Sequence, residues 1–196
     1  IYTGLDHLLF ILLLILISPL LLINNNQWGN FSSWKFTIKR LLKIITAFTL
    51  GHCITLLIFS FFNLNGISKY IEICISLTII ATAVHCIKPY FYNKEVLITF
   101  IFGLIHGSAF GITLNEWGIS KNQKLISLLG FNLGIELMQI IIVLFCIPLI
   151  YLSKYLIYNK IRVAVASVTI FISIFWTIER ITGTPNIITE YINKII

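Results

Sequence analysis

Six long apolar runs constrain this chain more than any motif in it. They extend from Leu5 to Ile23, Leu41 to Phe62, Ile71 to Ile87, Val96 to Leu114, Leu125 to Tyr151 and Val163 to Ile181. A run of about 20 residues matches the roughly 30 Å hydrocarbon layer of a bilayer. Inside that layer every backbone N–H and C=O must be satisfied within the protein, which leaves helices or closed barrels. The runs are too long and too evenly apolar for barrel strands, which alternate. With 58% hydrophobic residues and a mean hydropathy of +0.97, too little polar surface remains for a soluble globule. The expected fold is therefore all-α: residues 1–196 form one transmembrane domain, a polytopic bundle of six helices around a polar His/Asp/Glu interior.

The segments between runs carry turn and breaker signals, among them "NNNQWGNFSS", "NLNG", "KPYFYNK" and "NEWGISKNQK". Alternate connections differ in charge. Lys35, Lys39, Arg40, Lys43, Lys88, Lys94, Lys154, Lys160 and Arg162 fall in the first, third and fifth. The other side has Lys69, Lys121, Lys124, Arg180 and Lys194. By the positive-inside rule the first group faces the cytoplasm, placing both ends of this chain outside, in a bacterial inner membrane. That rule accounts for the net charge of +7 without a nucleic acid partner. Trp28, Trp34, Trp117, Tyr90 and Tyr92 sit at run ends, where aromatic rings favour the interface. The chain opens on Ile1 rather than methionine, so the native N-terminus is expected to have been lost or processed away, and no signal peptide can be read. Cys53, Cys74, Cys86 and Cys146 share no CxxC spacing and read as small core residues.

An ionisable side chain near the bilayer centre costs about 2.5 to 3.5 kcal/mol on insertion scales and is normally turned inward and paired. The runs contain Asp6, His7, His52, Glu72, His85, His106, Asn132, Glu136 and Gln139, with Glu179 and Arg180 at the end of the last. Asn132, Glu136 and Gln139 stand at i, i+4 and i+7, a single strip of a helix. Thr46, Thr49 and His52 form a second strip, and Thr78, Thr82 and His85 a third. A shared interior hides all of them at once. Individual threonines such as Thr78 read more simply as helix glue. Glu72 and Glu179 lie near span ends, where snorkelling or a local Glu179–Arg180 pair suffices. Gly103, Gly107 and Gly111 make one close-packing face and Gly130 with Gly134 another, which buries His106 in a helix contact.

Imidazole and carboxylate without a thiolate cluster suit borderline divalent metals: nickel, cobalt or zinc. Asp6 with His7 is a compact pair on which His52, His106 and Glu136 can converge from neighbouring helices. Thr49, Cys53, Ser108, Asn132 and Gln139 are candidates for the surrounding shell. Labile coordination fits a permease better than a closed structural site, and neutral imidazoles are required, so uptake should weaken at low pH.

The stretches "GLDHLLFILLLIL", "FTLGHCITLL", "FGLIHGSAFG" and "FNLGIELMQ" closely resemble, in order, the motifs of the HupE/UreJ family, and "YIEICISLTI" resembles the corresponding third segment. These are hydrogenase and urease accessory membrane proteins regarded as nickel/cobalt permeases. The resemblance implies that Asp6 and His7 match the family's aspartate–histidine pair, His52 its second-helix histidine, His106 its glycine-rich histidine motif and Glu136 its fifth-helix glutamate. Family members usually carry a further histidine shortly before the pair, which this chain begins too late to include. Cys53 stands where a serine is expected. His85 and Cys86 have no clear counterpart.

The first expectation is thus a membrane permease for nickel or cobalt, in contact with lipids and possessing as partners a metallochaperone or further copies of itself. No Walker motif is present, so energy would come from an ion gradient, the membrane potential or a partner. The alternative is an intramembrane zinc-dependent hydrolase or acyl transferase built on the same residues, with Ser108 or Glu136 assisting. In a third reading the polar set only packs six helices.

Overall fold

The computed structural model describes residues 5–23, 27–62, 66–116 and 121–184. Among them are six helices, α1 (Leu5–Ile17), α2 (Trp34–Phe61), α3 (Ser68–Ile87), α4 (Glu95–Glu116), α5 (Lys121–Leu152) and α6 (Ile157–Thr182). A hairpin of β1 (Leu20–Ile23) and β2 (Gln27–Phe31) separates the first two. Five of the helices are long and apolar enough to cross a membrane. The chain is an integral membrane protein.

The first apolar run does not stay helical to Ile23. Pro19 disfavours helical backbone at Ser18, and α1 stops at Ile17, where the Ser18 hydroxyl donates to Ile15 O at 2.8 Å. The run then continues as β1, antiparallel to β2 with Leu22 opposite Trp28, so the "NNNQWGNFSS" connection is partly strand. Trp117 lies outside the described residues. Elsewhere the helices outreach the apolar runs. Ser33 caps α2 by accepting from Phe36 N at 3.2 Å, and α6 closes on Gly183, whose φ of 74° suits glycine.

α1 is apolar on every side and correspondingly buried, with Phe10, Leu13, Ile15, Leu16 and Ile17 inaccessible. It lies among two close pairs, α2 with α4 and α3 with α6, while α5 leans on α1 and α2. The α2–α4 seam is the tightest. A Cβ at Gly103 or Gly107 would collide with the carbonyl oxygen of Phe48 or His52, one at Gly111 would stand 2.8 Å from Phe59 Cβ, and one at Gly51 would strike Phe100 O. Gly130 and Gly134 behave differently from expectation. Nothing lies within 4 Å of a Cβ added at either, because both border a cavity instead of a neighbouring backbone. The outer side of α5, with Leu133, Leu137 and Phe145, is exposed and suited to lipid.

The basic connections gather at one end of the bundle, held by a buried polar network. Arg40 of α2 pairs with Glu95 at the start of α4 and donates to Leu20 O at 2.7 Å and Ile17 O at 3.3 Å. The Trp28 and Tyr92 rings flank its guanidinium at 5.5 and 5.0 Å. His85 accepts from Phe91 N through Nδ1 at 3.2 Å and places Nε2 3.8 Å from Glu95 Oε1. Arg162 donates to Cys86 O at the end of α3, and Tyr158 donates to Leu16 O at 2.8 Å. The carbonyls left unpaired where α1 and α3 end therefore receive donors from other elements.

Candidate metal centre

Three of the chain's four histidines meet halfway along the bundle. His7 lies in the first turn of α1, His52 in the second half of α2 and His106 at the middle of α4. At 1.5 Å per residue, His106 is about 16 Å from the start of its helix, near mid-membrane depth. The His7 ring centroid is 5.0 Å from that of His106 and 5.6 Å from that of His52, both nearly perpendicular. His52 and His106 are 1% and 0% exposed.

The glycine seam produces this convergence. Gly103 and Gly107 flank His106 on the α4 surface and let the α2 backbone approach at Phe48 and His52. With side chains at those positions, α2 and α4 would stand further apart and so would their histidines.

Each imidazole has a distinct set of partners. His7 Nδ1 lies 3.0 Å from Asp6 Oδ1, and the same oxygen accepts from His7 N at 2.9 Å. A carboxylate can only accept, so His7 carries a proton on Nδ1. His106 Nε2 lies 2.9 Å from Thr78 Oγ1, while Nδ1 has no hydrogen-bond partner. Neither ring nitrogen of His52 has one. Buried, unpaired imidazole nitrogens are costly, and their occurrence on both α2 and α4, beside His7, invites a shared ligand.

Below the cluster, on the side of the basic end, the bundle is filled by apolar side chains. Phe10 is one turn beyond His7 and Phe48 one turn before His52; their rings pack 5.0 Å apart and lie 5.3 and 5.4 Å from the His106 ring. Leu13, Ile44 and Ile79 continue this plug. On the opposite side lies a cavity of about 790 Å³ whose wall includes Asp6, His7 and His106. It runs past Phe131 and Gln139 to Glu72 and Arg180, residues close to the non-basic helix ends. Among the described residues, the cavity reaches the cluster from this side.

The chain matches the HupE / UreJ protein family over residues 1–180. The chain belongs to the HupE/UreJ family. No curated protein and no solved structure matches it. The matched region of this HupE/UreJ chain contains every candidate ligand read from the sequence.

Of those candidates the fold brings together Asp6, His7, His52 and His106 and leaves Glu136 apart. Glu136 is exposed on α5, near Cys53, and does not line the cavity. The strip of Asn132, Glu136 and Gln139 divides: Gln139 is buried and accepts from Thr49 Oγ1 at 3.2 Å, Asn132 is half-buried with Oδ1 unpartnered, and Glu136 points out. Residues three apart are offset by about 60° around a helix, enough to turn Glu136 aside when Gln139 faces Thr49. Ser108, the candidate nucleophile of an enzyme, donates its hydroxyl to Ile105 O at 2.6 Å. Arg180 Nε stands 3.5 Å from Glu72 on α3, an ion pair between helices. Among the described residues, no three His, Cys, Asp or Glu side chains form a ready-assembled metal-binding group.

Gly51, Thr78, Phe10 and Phe48 were not singled out by sequence as parts of the centre. Gly51 falls one residue before His52, a signal of close backbone approach beside a functional group. Thr78 falls on the polar stripe of α3, which marks its direction but not its partner.

Proposed function

We propose that this protein is a permease that carries nickel(II) or cobalt(II) across a bacterial cytoplasmic membrane, and that His7, His52 and His106, with Asp6 behind His7, form its intramembrane cation site. The HupE/UreJ family is associated with nickel/cobalt transport, consistent with this reading. The observation that carries it is the meeting of three imidazoles, two of them in the wall of a cavity that reaches toward the non-basic helix ends, with an apolar plug beyond.

The spacing suits a metal. An imidazole bound at about 2.0 to 2.1 Å puts its ring centroid about 3.2 Å from the ion, so two rings at a tetrahedral angle lie about 5.2 Å apart. The 5.0 and 5.6 Å separations bracket that value. Binding would draw the rings toward a common point, and incomplete coordination lets the ion leave again. Asp6 then serves as the carboxylate that orients His7 through Nδ1, the usual arrangement around a metal-bound histidine. With the basic end at the cytoplasm, the cavity opens outward and the Phe10–Phe48 floor separates the site from the inner side. A membrane potential of 100 mV would then favour entry of a dication by about 4.6 kcal/mol.

The test is nickel(II) flux into proteoliposomes for the wild type, His106→Ala and Glu136→Ala. Flux in the wild type, lost in His106→Ala and retained in Glu136→Ala, is the expected pattern. Flux unchanged by His106→Ala would overturn the assignment, and retained stoichiometric zinc with no flux in the wild type would favour an enzyme.

A further inference from the structure

We infer that Thr78 is a positioning residue for the cation site: it fixes the His106 tautomer so that Nδ1 is the nitrogen offered to the ion. The part concerning the ion rests on the permease reading; the tautomer assignment stands without it.

The argument turns on a single proton. Thr78 Oγ1 lies 2.7 Å from Ile75 O on its own helix and 2.9 Å from His106 Nε2 on α4. A hydroxyl has one hydrogen to donate and two lone pairs with which to accept. Ile75 O has no hydrogen, so two bare oxygens at 2.7 Å would repel unless the hydroxyl donates to the carbonyl. The Thr78 proton is therefore committed to Ile75, and Oγ1 faces His106 with a lone pair. The 2.9 Å contact then requires His106 to supply the hydrogen, as Nε2–H. A neutral imidazole carries one N–H, which leaves Nδ1 unprotonated. That nitrogen is buried, has no hydrogen-bond partner and belongs to a ring 5.0 Å from His7.

Thr78 is itself held in place. It is buried, and its carbonyl accepts from Thr82 Oγ1 at 2.8 Å one turn on. The hydroxyl cannot easily rotate away, because the only other direction for its proton would break the Ile75 bond. Asp6 acts on His7 in the mirrored sense, since its carboxylate can only accept and so holds a proton on Nδ1. On both α1 and α4 the protonated nitrogen of an imidazole is thus fixed in advance by a partner side chain.

The experiment uses the full chain in detergent or nanodiscs, with ¹⁵N-labelled histidine and no metal, at about pH 8 so that imidazoles are neutral. In the wild type the His106 resonances, assigned by their loss in His106→Ala, are expected to show Nε2–H and unprotonated Nδ1. Thr78→Val keeps the branched shape without the hydroxyl and is expected to give mixed tautomers; Thr78→Ser is expected to restore Nε2–H. Nickel(II) titration should show a loss of affinity of about 10- to 100-fold in Thr78→Val, with recovery in Thr78→Ser. A wild-type His106 protonated on Nδ1 overturns the inference even if neither variant folds. Affinity that depends on His106 but not on the Thr78 hydroxyl overturns the positioning role. Affinity unaffected by His106→Ala, with the tautomer as assigned, would defeat the permease site and leave the tautomer assignment standing.

Discussion

Replacing Gly107 with alanine adds one methyl group at the point where α2 and α4 come closest. The new Cβ would overlap the His52 carbonyl oxygen and would stand 2.5 Å from Thr55 Oγ1 and 2.8 Å from the His52 carbonyl carbon, where ordinary contact begins at 3.4 Å. Thr55 can rotate, but the carbonyl belongs to the helix backbone, so α2 must retreat. Overpacking of this kind costs about 1 to 3 kcal/mol. Alanine recovers about 0.5 to 1 kcal/mol of helix preference over glycine, leaving a net loss of about 0 to 2.5 kcal/mol. Gly130 on α5 provides the matched control, because nothing lies within 4 Å of its added Cβ. Gly130→Ala retains only the helical gain, so the variants should differ by about 1 to 3 kcal/mol. Thermal unfolding of both in the same detergent, followed by fluorescence-detected size exclusion, measures the difference. The atom struck belongs to His52, so Gly107→Ala should also lower nickel affinity. Equal stability for the two variants would refute the seam as described.

At the basic end, Glu95→Gln leaves the Arg40 guanidinium buried without its counter-charge. The glutamine oxygen still accepts, and so do Ile17 O and Leu20 O. The expected loss is therefore about 3 kcal/mol, the low end for breaking a buried pair, and Arg40→Met in that background should recover part of it in a thermal melt. Nickel binding through imidazole needs an unprotonated ring nitrogen, so acid strong enough to protonate a ligating ring should weaken it. Isothermal titration at several pH values with proton release recorded checks this; affinity independent of pH would argue against imidazole ligation.

Much of the fold was legible because a bilayer leaves the backbone few options. The helices follow from apolar length alone, and the meeting of His7, His52 and His106 follows from the cost of leaving polar groups in lipid. What failed was wherever a pattern names one surface without naming its neighbour. Gly103–Gly107–Gly111 and Gly130–Gly134 look alike in sequence, yet only the first faces a backbone. The apolar run through Ile23 conceals a change from helix to strand, for which Pro19 was the visible signal. Glu136 and Gln139 share a strip wide enough for one to face Thr49 and the other to face outward. Glu95, at the start of a run, shows nothing of its partners in the sequence, because Arg40 and His85 lie earlier on α2 and α3 and meet it only in the folded chain.

X-ray absorption at the nickel edge of the loaded, purified protein tests the central claim most directly, because it counts imidazoles around the ion. Three are expected in the wild type, two in His52→Ala and three in Glu136→Ala. A wild-type spectrum with no imidazole shell, or one unchanged by His52→Ala, would contradict a cation site formed by His7, His52 and His106.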